Sequence, residues 1–230
     1  MDPSFWHRRW ERNEIGFHQD QINTHLQRYW PTLGLSGSEQ VFVPLCGKSR
    51  DMVWLRSLGH RVLGVELSPV AVKQFFEENE LPAKVTRERS FNRWESDGLV
   101  VLCGDFLALN HHDLKDSRAV YDRASLIALP PQTRSRYVNH LVTLLRPDTP
   151  GLLVTMEYLQ TQMDGPPFSV PQQEVLALLE DSFKVDCLHS EDILSENPRF
   201  TAKGLTQLVE KIYRFRYQPR SRNPSQPPPR

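Results

Sequence analysis

The chain has 230 residues, and its 28 lysines and arginines balance 28 aspartates and glutamates. The length suits one α/β domain, and a net charge of zero favours neither nucleic acid nor an anionic membrane surface. Its three distant cysteines, Cys46, Cys103 and Cys187, match neither a disulfide framework nor a zinc site. With no apolar run of the roughly 18 residues that cross a bilayer, we expect a soluble, cytoplasmic protein.

The first 30 residues predict a helical cover. Asp2 can accept the free amides of a first helical turn, and Pro3 has the backbone angle that this turn needs. Trp6 and Trp10 follow four residues apart, so they share one face of the helix. These two rings either dock the helix on the core or help to roof a ligand pocket.

A continuous apolar run over residues 40–44 predicts a strand that is buried on both faces. Gly47 then allows a tight turn and a close approach of the backbone to a ligand. A helix ending at Gly59, a second strand ending on Glu66, and a helix that begins at Ser68 follow in turn. This alternation predicts a parallel sheet that is covered by helices.

The later segments predict the remaining strands and a tail. Asp97-Gly98 predicts a hairpin turn near the third strand, which ends at Cys103. Further strands are predicted over residues 119–123, 151–157, 183–188 and 206–217. Because residues 218–230 are rich in proline, arginine and serine, they predict a disordered tail after a single domain of residues 1–217.

The turn after the first strand does not match two common phosphate-binding motifs. Gly47-Lys48-Ser49 resembles the end of a phosphate-binding loop, but that motif needs a glycine where Phe42 stands. A dinucleotide site needs three spaced glycines, and this turn has only Gly47. We therefore expect neither a nucleotide triphosphatase nor a hydride-transfer enzyme, and Lys48 is expected in solvent or at the helix start.

Three charged residues are predicted at strand ends, the edge where open parallel sheets bind ligands. A carboxylate at Glu66 can accept both hydroxyl protons of a ribose, and one at Asp105 can accept a proton of an adenine amine. The alternatives are a solvated Glu66, an Asp105 that caps a turn, and an ion pair for Arg123. The two carboxylates and the glycine turn together predict an adenosine ligand without a polyphosphate, which S-adenosylmethionine fits.

Two other features carry no predicted chemistry. His111 and His112 are adjacent, so their side chains diverge and converge poorly on one ion, and we expect no metal site. Cys46 lies in the turn without an evident base partner, so we expect it to pack as a small apolar side chain and not to act as a nucleophile.

Several motifs together resemble the thiopurine S-methyltransferase family. They are Trp6 with Trp10, Phe17-His18-Gln19, Phe42 to Lys48, Gly59-His60, Gly64-Val65-Glu66, Asp122-Arg123, Gly165 to Phe168 and Val170-Pro171. These motifs stand in the order of the family, and a Pro-Leu-Cys-Gly-Lys turn is unusual among methyltransferases. The resemblance implies a class I methyltransferase (Rossmann-like) fold, with a seven-stranded, mostly parallel sheet, helices on both faces and an antiparallel last strand.

The resemblance also implies S-adenosylmethionine as the cofactor and S-adenosylhomocysteine as its product. Cofactor contacts would come from Trp6, Trp10, Leu45, Gly47, Glu66 and Arg123, and the adenine would be flanked by Gly104, Asp105 and Phe106. The Gly104-Asp105 contact follows many class I methyltransferases of the wider superfamily and not the mammalian-type members of the family.

On the acceptor side, the resemblance implies contacts from Phe17, Phe168 and Arg199, with Arg123 and Arg199 orienting or polarising the acceptor. The implied activity is methyl transfer to the sulfur of thiopurines and other aromatic or heterocyclic thiols by a monomer. Two alternatives stay open: a related methyltransferase with a selenium, tellurium or other acceptor, and a non-catalytic adenosine-binding module. A dedicated base is not required by this interpretation, because thiols ionise readily.

Overall fold

The structure is a computed structural model that describes residues 3–219. The predicted cap at Asp2 and nearly all of the predicted tail lie outside these residues. The described helices are α1 (Pro3–Glu11), α2 (Thr24–Tyr29), α3 (Asp51–Ser57), α4 (Pro69–Glu78), α5 (Ser125–Ala128), α6 (Pro131–Leu144), α7 (Gln172–Leu179) and α8 (Pro198–Thr201). The described strands are β1 (Gln40–Val43), β2 (Arg61–Glu66), β3 (Lys84–Glu88), β4 (Phe91–Ser96), β5 (Leu99–Cys103), β6 (Ser117–Arg123), β7 (Pro150–Glu157), β8 (Phe183–Asp192) and β9 (Val209–Tyr217).

In the described part of the chain, these strands form one sheet in the order β3-β4-β5-β2-β1-β6-β7-β9-β8. Strands β5, β2, β1, β6 and β7 are parallel, and β9 is antiparallel to both β7 and β8. The predicted mostly parallel sheet with a reversed last strand is therefore confirmed. Its predicted size of seven strands is too small, because β3 and β4 extend the β5 edge.

The added strands arise from the hairpin that Asp97-Gly98 predicts. Both turn residues have positive φ angles, 40° and 82°, and β4 pairs antiparallel with β5 across them. The sequence predicted this hairpin without adding β3 and β4 to the sheet. Every residue of β3 is exposed, so this edge strand lacks the apolar pattern by which buried strands are recognised.

The sheet is covered on both faces, as predicted. Alternate side chains of a strand point to opposite faces, so Phe42 packs with the core under α6 and α7, while Val41 and Val43 pack with the core under α2, α3 and α4. Ser68 caps α4, with its Oγ accepting the amide of Ala71 at 3.4 Å. Because helices cover both faces, the carboxyl ends of the parallel strands form an open edge, and the loops after these strands lie along it.

One buried arginine joins the loops on the α6 side. Arg134 is fully buried, and its Nε donates to the carbonyl oxygens of Leu126 at 3.1 Å and Leu129 at 3.0 Å. Its Nη1 lies 2.7 Å from both carboxylate oxygens of Glu174, and its Nη2 donates to the Ser169 carbonyl at 3.0 Å. A buried guanidinium is tolerated here because its donors have partners.

Replacing Arg134 with methionine should lower the free energy of unfolding by about 3 kcal/mol, because Glu174 and three carbonyl oxygens lose their donor. Urea denaturation of wild type and variant measures this change. Arg136→Met, on the exposed side of the same helix, should change stability by less than about 0.5 kcal/mol. Equal stability of the wild type and Arg134→Met would show that this network is not needed for folding.

Candidate functional site

The turn after β1 runs beside the end of β2 and under α1. Leu45 and Gly47 have positive φ angles of 46° and 53°, and the Cys46 amide donates to the Val65 carbonyl at 3.0 Å. A Cβ atom at Gly47 would lie 3.3 Å from the ring of Trp10, so this position needs glycine for both conformation and space. Because the turn packs this tightly, its backbone amides have fixed directions.

Lys48 does not extend into solvent as expected. Its side chain is buried, and its Nζ lies 2.6 Å from Glu78 Oε1 on α4. The ion pair compensates the lysine for lost hydration, which is why the charge can lie under the turn. Lys48 therefore ties this turn to α4.

Glu66, at the end of β2, organises the same edge of the sheet. It is buried, its Oε2 accepts the amide of Gly47 at 2.9 Å, and its Oε1 accepts the amide of Ser68 at 2.7 Å. Burial raises the pKa of the Glu66 carboxyl, against the opposing effect of these backbone donors. Each carboxylate oxygen has two acceptor positions, so the group retains capacity for two further donors such as hydroxyls.

Three aromatic rings connect α1 with the loop that follows it. Phe17 stands edge-on to both Trp6 and Trp10, and each pair of ring centroids is 5.6 Å apart. Trp10 is buried, whereas Trp6 keeps part of its surface accessible. Both tryptophans also border a cavity, so the two roles that the sequence left open, docking the helix and roofing a pocket, occur together.

This first cavity has a volume of about 360 Å³, within the range of small-molecule sites. Its walls come from α1, the turn after β1, the ends of β2 and β5, and the segment from α5 to α6. The predicted site residues in its lining are Trp6, Trp10, Phe17, Leu45, Gly47, Glu66, Gly104, Asp105 and Phe106. The fold thus brings the predicted cofactor residues, apart from Arg123, to one cavity.

The segment after β5 forms another wall of the first cavity. A Cβ atom at Gly104 would lie 2.6 Å from the ring of Phe91, so only glycine fits at this position. Asp105 Oδ1 accepts the Leu107 amide at 2.9 Å, which is the turn-capping role considered from the sequence. Asp105 also lines the cavity, so capping a turn does not remove it from the site.

Arg123 lies in an ion pair at the end of β6. Its Nε is 2.9 Å from Oδ2 of Asp51, which is buried and also accepts the Asn23 amide at 2.8 Å and the Tyr121 hydroxyl at 3.0 Å. Burial acts to lower the pKa of Arg123, but the neighbouring Tyr121 and Asp51 outweigh it and raise that pKa. This is the ion pair considered as the alternative, and the predicted cofactor contact of Arg123 stays a prediction.

Arg123 borders a second cavity of about 290 Å³ instead. The two cavities adjoin, because they share the wall residues Phe17, Ala124, Ile127, Pro166 and Pro167. Arg199 of α8 lines the second cavity with Arg123, and its Nη1 donates to the Gly16 carbonyl. The guanidinium also lies 4.8 Å from the ring of Phe200. The two arginines that the resemblance assigned to the acceptor therefore meet at one cavity.

Phe168 is placed differently from the other predicted acceptor residues. It lies outside the lining of both cavities, its amide donates to the Ile127 carbonyl at 2.7 Å, and its ring packs on Gly165. Pro166 and Pro167, from the same motif, line both cavities. The motif marked the correct segment, and its prolines form the wall between the cavities.

Sequence reasoning missed several charged residues of the second cavity. They are Arg9, Glu14, Lys203 and Glu210. These residues belong to α1, the loop after α1, the turn after α8, and strand β9. Because nothing in their local sequence distinguishes them from ordinary surface charges, only the folded chain identifies them.

Residues 3–219 contain no cluster of three or more histidine, cysteine or acidic side chains arranged to hold a metal ion. None of their helices has the length and apolar character that crossing a membrane requires. Cys46 is buried, and burial raises the pKa of its thiol well above the ordinary value, which disfavours the reactive thiolate.

Comparisons with solved structures show the fold. A 1,6-didemethyltoxoflavin-N1-methyltransferase from Burkholderia thailandensis, solved with its namesake ligand and S-adenosylhomocysteine, aligns with a TM-score of 0.61 at 17% identity. The alignment covers 94% of this chain and 87% of that one. An S-adenosylmethionine-dependent methyltransferase from Methanosarcina mazei aligns with a TM-score of 0.60 at 12% identity, over 86% and 99% of the two chains. The class I methyltransferase fold is confirmed.

Sequence comparisons identify the family. The family model described as Thiopurine S-methyltransferase (TPMT) matches residues 1–218. The chain is 51% identical over 215 residues to the thiopurine S-methyltransferase of Pseudomonas entomophila (strain L48). The alignment covers 94% of this chain and 99% of that protein. The corresponding protein of Pseudomonas fluorescens (strain SBW25) is 50% identical with the same coverage. With the fold and the cavity-lining motifs described above, these matches show that the chain is an enzyme of the thiopurine S-methyltransferase family.

Proposed function

We propose that this enzyme transfers a methyl group from S-adenosylmethionine to the sulfur of thiopurines and other aromatic or heterocyclic thiols. The observation that carries the proposal is the pair of adjoining cavities. The first has a buried carboxylate and bare backbone at the strand ends, and the second has two arginines. Phe17 and the two prolines at positions 166 and 167 lie where the cavities meet.

The residues of the first cavity fit an adenosine cofactor. Glu66 retains acceptor capacity for ribose hydroxyls, and Gly104 and Asp105 line the part of the cavity where an adenine would lie. Leu45 and Gly47 would lie along the amino-acid end. When bound, S-adenosylmethionine supplies an electrophilic methyl carbon on a sulfonium. The nearby Trp and Phe rings would favour that positive charge by roughly 0.5 to 2 kcal/mol.

The main task of the chain in this reaction is alignment. The acceptor sulfur must approach the methyl carbon in line with the bond that breaks, in a site that excludes water. Positioning of this kind supplies on the order of 7 to 11 kcal/mol in favourable cases. The rings of Phe17, Trp6 and Trp10 and the wall of Pro166 and Pro167 provide the rigid, apolar surfaces for it.

Arg123 and Arg199 would orient and polarise the acceptor in the second cavity. Both guanidiniums are held in place, Arg123 by Asp51 and Arg199 by the Gly16 carbonyl and Phe200. Arginine stays protonated at neutral pH, so its positive charge stabilises the negative charge that develops on the acceptor sulfur throughout the reaction. We further propose that the protein is a monomer in the cytoplasm without nucleic-acid or membrane partners.

Purified protein with S-adenosylmethionine should convert 6-mercaptopurine to its S-methyl product, measured by mass spectrometry. Competition with an inorganic selenium compound should leave the thiopurine as the preferred acceptor. Calorimetric binding of S-adenosylhomocysteine without turnover across a panel of thiols would instead identify an adenosine-binding module.

Arg199→Ala should raise the KM for 6-mercaptopurine by about tenfold or more, because a hydrogen bond to a charged group is lost. The Kd for S-adenosylhomocysteine, measured by calorimetry, should hardly change, since Arg199 does not line the first cavity. Arg216→Ala removes an exposed arginine of β9 outside both cavities and serves as the matched control. Equal losses of acceptor and cofactor binding would contradict the assignment of Arg199.

Glu66→Gln should weaken the binding of S-adenosylhomocysteine by about tenfold to a hundredfold. The side-chain NH₂ of the glutamine must face the backbone N–H of either Gly47 or Ser68, which places two donors against each other. The variant also loses an acceptor for the ribose hydroxyls. Glu77→Gln, an exposed position on α4, should bind as tightly as wild type in the same calorimetric titration. If Glu66→Gln binds S-adenosylhomocysteine as tightly as wild type, the carboxylate accepts hydrogen bonds only from the backbone and does not contact the ligand.

A further inference from the structure

Glu210 is a charged residue of the second cavity without a part in the proposed binding of cofactor or acceptor. It lies on β9, is buried, and lines the second cavity together with Arg123 and Arg199. Its Oε2 is 2.8 Å from Nε2 of His25 on α2, a residue that is itself mostly buried. A buried carboxylate is costly unless it is paired, and His25 provides that pairing from outside the cavity lining.

The surroundings of this pair contain charges from several elements. The His25 ring lies 5.1 Å from the ring of His189 on β8, which pairs with Glu191 at 2.9 Å. The other titratable or charged groups near Glu210 are Tyr121, Arg123 and Asp51 toward the core, and Arg9, Glu14, Arg199 and Lys203 around the cavity. Glu210 is thus a carboxylate within a mainly cationic cavity.

Other carboxylates near the two cavities have different partners. Asp51 holds Arg123 and accepts two further donors, and Glu66 lies at the first cavity with a backbone amide on each oxygen. Glu14 is half exposed and lies 3.8 Å from Arg9. A carboxylate has about four acceptor positions, so the contact with His25 leaves Glu210 able to accept a further hydrogen bond from a donor in the cavity, which is the contact that a proton acceptor needs.

We propose that Glu210 accepts the proton of the acceptor thiol and that His25 is the positioning residue that holds its carboxylate. This inference rests on the proposed function. The S–H proton moves to a Glu210 oxygen while the sulfur electron pair forms the new bond to the methyl carbon. The old carbon–sulfur bond breaks, and its electron pair goes to the sulfonium sulfur, which becomes a neutral thioether. The proton on Glu210 is then released to water.

A proton acceptor is useful because only the thiolate is strongly nucleophilic, and an acceptor that binds in its protonated form must lose its proton as the sulfur attacks. Arg123 and Arg199 stabilise the negative charge on sulfur but cannot take its proton. The Glu210 carboxylate can accept this proton.

The test compares two aromatic thiols at about pH 6, where thiophenol is mostly protonated and 4-nitrothiophenol is mostly thiolate. Glu210→Gln should lower kcat for thiophenol by about a hundredfold, and kcat for 4-nitrothiophenol by less than about threefold. Raising the pH should restore much of the thiophenol rate, and Glu210→Asp should retain part of it. His25→Ala should lower the thiophenol rate by about tenfold and spare 4-nitrothiophenol.

Glu180→Gln is the matched control, because Glu180 is exposed at the end of α7 and lies outside both cavities. It should leave both rates unchanged. Equal losses with the two thiols in Glu210→Gln, or no loss with either, would overturn the role of Glu210. If the wild type binds S-adenosylhomocysteine but methylates neither thiol, the proposed function itself fails.

Discussion

The two hydrogen bonds that Glu66 accepts from backbone amides hold together the edge of the sheet that borders the first cavity. One comes from Gly47 in the turn after β1, and the other from Ser68 at the start of α4. A buried carboxylate without donors would be costly, so the pairing keeps both segments at fixed positions around it. The first cavity has its shape because this one side chain joins the ends of two neighbouring strands.

The second cavity depends on a different set of buried charges. Asp51 fixes Arg123 from the α3 side, and His25 pairs with Glu210 from α2. Arg134 holds the segment around Ser169 and, with it, the neighbouring prolines of the wall. Arg123 and Glu210 each have a partner behind them and line the second cavity in front of them. Polar groups are retained at such cost where orientation matters, as it does for in-line methyl transfer.

The two cavities differ in how they are assembled, and this explains how far the sequence predicted each. The residues of the first cavity come from consecutive strand ends and from the turn after β1, which open parallel sheets bring to one edge. Their types and spacing therefore predicted Gly47, Glu66 and Asp105 together. In the second cavity, Arg9 and Glu210 lie some 200 residues apart, and no local pattern connects them.

By itself, the sequence determined the alternation of strands and helices, the hairpin at Asp97-Gly98 and the glycine turn, because apolar periodicity and turn chemistry are local properties. Tertiary structure alone decided that Lys48 is buried against Glu78, that Arg123 pairs with Asp51, and that β3 and β4 extend the sheet. Burial and pairing depend on which distant segments meet, and the free energy of the whole chain settles that choice.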